Sequence, residues 1–263
     1  MRAKQLVAAS LLLISSALPC GAAPMTQQER ARVFASLPDW TGIWETVAWT
    51  QRTAAGRPAG GINEVKSKSV LAGHPPYNAE WEAKYQTGLK NLAALRATDG
   101  ARKTCSFSFP LVMESPSLFQ VAVTPEETLF VFVTQDVRHV YTDGRQHPPA
   151  EDLWPTRMGD SVAHWEGDTL VIDTIARLPT ESIGVASPLS KLSERAHFIE
   201  RVRRVSPDEL QNEMTIEDPV ALARPWTVTL KYRRVTDLDR MGNYDCLQND
   251  RNPIVDGKLT IRP

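Results

Sequence analysis

The chain has 263 residues and a formal net charge of −1; 42% of its residues are hydrophobic and 23% are charged. A chain so close to neutral lacks the positive field that phosphate contacts require, which argues against a nucleic-acid-binding protein and a strongly basic membrane-surface protein. The length suits one large all-β domain or two small ones.

The first residues predict export. Arg2 and Lys4 precede the apolar run LVAASLLLISSALPC, which is short for a membrane span and is followed by small residues. We expect a signal peptide over residues 1–22, cleaved after Ala22, and a periplasmic or secreted protein with no membrane association after cleavage. Cleavage removes two basic and no acidic residues, which moves the net charge from −1 to −3. Lipoprotein anchoring at Cys20 is the alternative.

Residues 23–100 are expected to contribute N-terminal helices, a first strand and a loop. The sequence from Thr26 to Glu29 matches a capping box and predicts a short helix. Asn78 can cap a longer helix that continues to about Ala97, with an aromatic and leucine stripe that serves packing.

Strand patterns dominate the rest of the chain. Predicted strands lie at residues 40–44, 129–134, 137–142, 196–205, 210–217, 226–235 and 242–247, and two more flank Glu166 to Asp168. Such regular spacing predicts a mainly β fold, either an antiparallel β-barrel of the lipocalin (calycin) type or a sandwich, with one or two N-terminal helices. Residues 101–263, together with 38–50, are expected to form this single domain, and residues 52–71 a surface loop.

Two turns set the predicted register. Glu166 to Asp168 predicts a three-residue hairpin connector, and Ser206 to Glu209 predicts a type I turn. Because side chains alternate along a strand, counting from the turns places a polar set on the inner face. This inner set comprises His139, Tyr141, His164, His197, Arg201, Asn212 and Tyr232, with Trp226 among its apolar neighbours. A one-residue bulge at Arg201 or Arg203 would instead turn this face to solvent.

A polar set within an apolar pocket is typical of a small-molecule site. His197 or His164 would shuttle a proton, Tyr141 or Tyr232 would polarise an oxygen, and Arg201 would hold an anionic centre. The candidate substrate-binding residues are His139, Tyr232, Asn212, Trp226, Arg157 and Asp160. Asp160 is also a candidate acid or base, although an aspartate at a hairpin start is common in turns.

No metal or other cofactor is expected. The stretch from Ser193 to Arg201 holds carboxylates and an imidazole, but in a strand Glu194 and Glu200 lie on the face opposite His197. These groups therefore cannot meet around one metal ion. The sequence has no phosphate-binding glycine loop and no zinc-protease motif. The expected partner is a small-molecule substrate or ligand.

The expected export predicts the state of the cysteines. Once Cys20 leaves with the signal peptide, Cys105 and Cys246 remain. Two cysteines in an oxidising compartment are expected to form a disulfide. The alternative is a pair of unlinked buried thiols.

Five short motifs are spread along the chain. They are Gly42–Trp44, Thr142–Arg145, Trp165–Val171, Ser193–Arg201, and Asp218-Pro219 with Pro225–Val228. Together they resemble a widespread family of secreted bacterial proteins of unassigned function, and the resemblance covers most of the mature chain. It implies the fold and export but no activity. The chain departs from the family at Arg157, where relatives usually carry Trp, and over residues 175–192, where we expect divergent specificity.

Two hypotheses from different classes follow. The first is a periplasmic, cofactor-independent enzyme that uses His, Tyr and Arg acid–base chemistry on a small, largely apolar molecule, as a lyase, isomerase or hydratase. The second is a non-catalytic carrier with the same cavity. Several histidines and an arginine are of little use to a carrier of apolar ligands, which favours the enzyme. The sequence leaves the substrate and the oligomeric state open.

Overall fold

A computed structural model describes residues 25–47, 74–91, 107–114, 118–179 and 191–242, together with the backbone of two short strands near residue 257. The expected signal peptide, the loop at 52–71, the predicted strand at 242–247 apart from Gly242, and both cysteines of the expected disulfide, Cys105 and Cys246, lie outside these residues. Among the helices in the described segments, none has the length and apolar character needed to cross a membrane.

Both predicted helices form at their predicted caps. Helix α1 spans Gln27–Ser36, and the backbone N–H of Thr26 donates to Glu29 Oε2 at 2.9 Å in the expected capping box. Helix α2 spans Ala79–Lys90, and Asn78 Oδ1 accepts from the backbone N–H of Trp81 at 3.0 Å. Helix α2 ends at Lys90, earlier than the predicted end near Ala97. A third, four-residue helix, α3, spans Leu111–Glu114.

Nine of the described strands form one closed sheet. Their bounds are β1 Ile43–Thr46, β2 Phe119–Val123, β3 Glu127–Phe132, β4 Val137–Tyr141, β5 Asp160–Glu166, β6 Thr169–Ile175, β7 His197–Ser206, β8 Glu209–Glu217 and β9 Trp226–Val235. Each strand pairs with the next along the chain, and β1 also pairs with β9, which closes a barrel. Strands β10 (Ile254–Val255) and β11 (Lys258–Leu259) pair separately. The predicted mainly β architecture is confirmed.

One pair of neighbouring strands is parallel. Strand directions can alternate all the way round a closed ring only if the number of strands is even, so nine strands require one exception. The exception is β4 with β5, where Tyr141 pairs with Val162. The expected antiparallel pairing of the strands is therefore wrong at β4–β5. A parallel pair also needs a long return connection, here residues 142–159.

A β-bulge between β7 and β8 reverses the predicted inner face of β7. Arg204 pairs with Leu210 and Ser206 pairs with Glu209, so Val205 is the extra residue. Pro207 favours a type I turn, whose twist suits a two-residue hairpin poorly, and the bulge accommodates the mismatch. The buried residues of β7 are accordingly Phe198, Glu200 and Val202. The predicted inward orientation of His197 and Arg201 is wrong.

The turn between β5 and β6 is shorter than predicted. Glu166 pairs with Thr169, which leaves only Gly167 and Asp168 as the connector, with Gly167 at φ +61°. This one-residue difference sets His164 opposite Val171 and turns it outward. Its side chain is 66% exposed.

Strand β4 is also reversed relative to the prediction. Arg138 and Val140 are fully buried, whereas His139 and Tyr141 alternate with them on the outer face. The predicted inward orientation of His139 and Tyr141 is therefore wrong as well.

The barrel interior is packed with side chains. The large buried aromatic residues are Trp44, Phe109, Phe119, Phe130, Phe132, Phe198 and Tyr232. Among them lies a fully buried ion pair between Arg138 and Glu200. Asn212 donates to Glu200 Oε1 at 2.7 Å, and Arg138 donates to Thr174 Oγ1 at 2.9 Å. The Arg138 guanidinium carbon lies 3.9 Å from the centroid of the Phe109 ring. The charges are thus paired and hydrogen-bonded, as buried charges require.

Candidate functional site

The barrel wall divides the predicted site residues into two groups. Tyr232 and Asn212 are buried inside, and burial, with the charge of Glu200, raises the pKa of Tyr232 well above its ordinary value. Trp226 is half-buried and packs against the core. Arg157 is half-buried, and its carbonyl oxygen accepts from the backbone N–H of Phe109 at 2.9 Å. The predicted set therefore does not converge on one internal cavity.

The outward histidines and arginine each face a carboxylate. His139 lies 2.9 Å from Glu127, His164 lies 3.2 Å from Glu166, and Arg201 donates to Glu166 at 2.7 Å. The Glu166 contacts hold His164 and Arg201 together at the outer end of the β5–β6 hairpin. Glu166 is thereby a salt-bridge residue, and its own pKa is lowered by the hydrogen bonds from Arg201 and His164.

A denser group forms where the 142–159 connection meets the outer wall. His147 Nδ1 lies 2.5 Å from Asp160 Oδ1, and His147 Nε2 lies 3.2 Å from Asp173 Oδ1. His197 Nε2 lies 2.8 Å from the same Asp173 oxygen, and His197 Nδ1 lies 3.6 Å from Glu217 Oε2. We call these five residues the outer-wall cluster. Each imidazole is bracketed by two carboxylates, and Asp173 is shared by both.

The sheet register explains how four of the five residues meet. Asp173 faces outward on β6 between its partners Val162 on β5 and Ile199 on β7. Asp160 is the first residue of β5, and His197, the first residue of β7, pairs directly with Glu217. Residues two apart on a strand share a face, so these side chains occupy adjacent rows.

His147 comes from the loop rather than from a strand. It lies in the return connection that the parallel β4–β5 pair requires, two residues after Arg145. Arg145 is held by Asp143 at 2.6 Å, as expected for a turn salt bridge, and its guanidinium carbon lies 3.9 Å from the Tyr141 ring centroid. The loop thus descends over the outer face of β4 and delivers His147 to the cluster.

Hydrogen bonding and charge determine the ionisation of Asp173 and His197. Burial raises the pKa of Asp173, but hydrogen bonds and charge from His197 and His147 outweigh burial and hold that pKa below its ordinary value. The hydrogen bond that His197 donates to Asp173 raises the pKa of His197, against burial, and the charges of Asp173 and Glu217 add to the rise. The arrangement favours an ionised Asp173 beside a protonated His197.

Three predicted residues belong to this region: His197, Asp160 and, on the row next to Val162, Tyr141. The sequence interpretation missed His147, Asp173 and Glu217. His147 stands in the YTDGRQHP segment, two residues after the turn arginine and before two prolines that stiffen the loop, which was the available signal. Asp173 and Glu217 could be placed only once the register was known.

The cluster is suited to proton transfer. Within the described segments, no group of three or more His, Cys, Asp or Glu side chains has an arrangement that could hold a metal ion. An imidazole oriented by a carboxylate is the usual unit of general acid–base catalysis, since the carboxylate fixes the ring and stabilises its charged form.

A concave feature separate from the outer-wall cluster lies at one end of the barrel. It is a groove of 440 Å³ lined by residues that include Pro38, Trp40, Asp168 and Val205. The guanidinium of Arg204, also in the lining, donates to the carbonyl oxygens of Asp39 and Pro207, both at 2.5 Å, and so fixes the adjoining segments. None of the predicted site residues lines the groove, so the outer-wall cluster is the better candidate.

No protein-family model, curated protein or solved structure matches the chain.

Proposed function

We propose that the protein is a cofactor-independent enzyme that transfers a proton on a small, largely apolar molecule, in the manner of a lyase, isomerase or hydratase, after export to the periplasm. The outer-wall cluster is its active site. The observation that carries the proposal is that one oxygen, Asp173 Oδ1, lies within hydrogen-bonding distance of ring nitrogens of both His147 and His197.

Four residues have roles in the proposed step. His197 is the acid when protonated and the base when neutral, and its raised pKa makes the neutral ring a stronger base. Asp173 fixes the ring and stabilises its charge. His147, which contacts both Asp160 and Asp173, anchors its own loop to the barrel wall. The Tyr141 hydroxyl is the candidate to polarise a substrate oxygen.

The alternative, a carrier with a lipocalin-type barrel, has less support. A carrier of that kind needs an internal cavity for its ligand. The described interior is instead filled by aromatic side chains and by the Arg138–Glu200 pair. Arg201, which was proposed to hold an anionic centre, is engaged by Glu166 and has no part in the proposed step.

The proposal is tested with a nitrobenzisoxazole, an uncharged carbon acid that reports proton abstraction directly. A base takes the proton from the ring carbon, the N–O bond breaks, and the electron pair ends on a coloured phenolate oxygen. We expect turnover above that of free imidazole at equal concentration, rising with pH as His197 loses its proton. His197→Gln should lower kcat/KM by a factor of about 100.

His74→Gln is the matched control, because His74 also pairs with a carboxylate, Glu82 at 2.5 Å, but lies beside helix α2. It should retain the wild-type rate. A wild-type rate no higher than that of free imidazole, or equal rates in His197→Gln and the wild type, would disprove the proposal.

A further inference from the structure

Building on the proposed function, we infer that the site selects an uncharged molecule whose apolar carbon skeleton lies on a shelf formed by Val162, Val171 and Ile199. These side chains face outward from the barrel yet are only partly exposed. The cluster would act on the polar end of such a molecule, and the shelf would hold its carbon skeleton.

The register places the shelf directly against the shared carboxylate. Asp173 pairs with Val162 on one side and with Ile199 on the other, and cross-strand neighbours have Cβ atoms about 5 Å apart. Val171 lies two residues before Asp173 on the same face of β6. Branched aliphatic side chains thus adjoin Asp173 on three sides.

The outer wall next to the shelf has a different character. Strand β8, the next strand beyond Ile199, presents Gln211, Glu213, Thr215 and Glu217 outward, alternating with its buried residues. Water forms hydrogen bonds with these polar side chains but not with the branched aliphatic side chains of the shelf. Covering the shelf with a ligand therefore removes apolar surface from water, which is favourable. The apolar contact surface therefore ends at Ile199.

The charges around the shelf favour an uncharged ligand. The carboxylates of Asp160, Asp173 and Glu217 face the two imidazoles of the cluster, and Asp143 holds Arg145. His164 and Arg201, which flank Val171, both face Glu166. Each of these imidazole and guanidinium groups already has a carboxylate partner, so an anion would have to displace one. A cation would likewise compete with the imidazoles or with Arg145. A neutral molecule with one oxygen needs only to accept a hydrogen bond.

Three molecules with one ring skeleton separate these cases: cyclohexanone, cyclohexanecarboxylate and cyclohexylammonium. Binding is followed by the imidazole proton signals of His147 and His197, assigned by their loss in the His→Gln variants. We expect the ketone to shift these signals at a concentration at least about tenfold lower than either ion. Half-saturation by either ion at or below the concentration of the ketone would overturn the inference.

The shelf itself is tested by Ile199→Thr, which keeps a β-branched residue in the strand but removes apolar surface. We expect ketone binding to weaken about fivefold and KM for the nitrobenzisoxazole to rise equally, with kcat unchanged. Val131→Thr, the same kind of change on the outer face of β3, should alter neither value.

The two proposals can fail separately. If ketone binding weakens in Ile199→Thr but the wild type shows no turnover, the shelf is supported and the enzymatic function is disproved. If turnover is normal but ketone binding is equal in Ile199→Thr, Val131→Thr and the wild type, the enzymatic function is supported and the shelf is disproved.

Discussion

At the scale of single residues, Asp173 decides the character of the site. Its Oδ1 atom is shared by His147 and His197, so both rings contact the same carboxylate. The two imidazoles come from a loop and from a strand, and Asp173 joins them. Removing its charge should therefore change the protonation of His197 before it changes the fold.

We expect Asp173→Asn to lower the pKa of His197, because the hydrogen bond and negative charge that raise this pKa disappear while burial, which lowers it, remains. The measurement is an NMR pH titration of the imidazole protons. Glu166→Gln, which removes the carboxylate facing His164, is the control and should leave the His197 midpoint unchanged. The same His197 midpoint in Asp173→Asn and the wild type would contradict the assigned coupling.

The same pair makes stability depend on pH. The folded pKa of His197 lies above its unfolded value of 6.5, so its contribution is full below that pH and is lost as pH rises through the folded pKa. The folded pKa of Asp173 lies below 3.8, so its contribution is lost as pH falls through that lower value. Wild type and Asp173→Asn should differ most between about pH 4 and 6.5, by less than about 1 kcal/mol because the pair is partly exposed.

At the scale of elements, the turns decide which side chains enter the barrel. The extra residue Val205 reverses β7, and a connector shortened to Gly167 and Asp168 reverses β5. Both turns were located correctly in the sequence, but each pairing differed from the predicted one by a single residue. Since side chains alternate with period two, each difference moved a whole face from inside to outside.

Two glycines at the ends of β5 test how tightly this strand is placed. Gly159 and Gly167 both have positive φ, +74° and +61°. A Cβ at Gly159 would lie 2.7 Å from the Ile175 carbonyl oxygen, whereas a Cβ at Gly167 meets nothing within 4 Å. Gly167→Ala should cost about 1 kcal/mol of unfolding free energy from the left-handed backbone alone, and Gly159→Ala about 3 kcal/mol or more because backbone must move.

Urea unfolding measures both glycine variants, and each serves as the control for the other. Gly159 also precedes Asp160, so Gly159→Ala should disturb the cluster and the His197 titration, while Gly167→Ala should not. Equal destabilisation of the two variants would show that the close approach to Ile175 is not rigid.

At the scale of the whole molecule, closure of the ring controls both the interior and the site. Nine strands require one parallel pair, which is β4–β5 here, and its return connection brings His147 onto the outer wall. The interior contains Arg138 and Glu200, both fully buried, on the two strands whose opposite faces, with His139 and His197, were expected to point inward. The barrel is a packed scaffold, and the candidate chemistry lies on its outside.

Arg138→Met should lower the unfolding free energy by about 3–5 kcal/mol, because it leaves the Glu200 carboxylate buried without its cation. The double variant with Glu200→Leu should recover much of this loss. Arg201→Met, which breaks an exposed pair with Glu166, should cost less than about 1 kcal/mol. Thermal and urea unfolding provide the comparison, and equal losses in Arg138→Met and Arg201→Met would contradict the buried pairing.

The local features of the fold were accessible from the sequence. The capping box at Thr26 and the cap at Asn78 involve contacts within one helical turn, so their side chains specify the helix starts directly. The last barrel strand, Trp226–Val235, has the predicted bounds, and its apolar residues alternate regularly from Trp226 to Tyr232. The inward orientation of Asn212 and Tyr232 was also predicted correctly, since no bulge intervenes between their strands.

By itself, the sequence determined a mainly β chain, its helix starts, and the histidines and acids available for chemistry, because composition, capping and alternation are local properties. Only the tertiary structure decided which faces are buried and that His147, Asp160, Asp173, His197 and Glu217 meet. The physical reason is that one inserted or missing residue reverses a strand face at little local cost. Closure of an odd-stranded ring requires one parallel pair and with it a long connection, and only the tertiary structure shows that this connection joins β4 to β5.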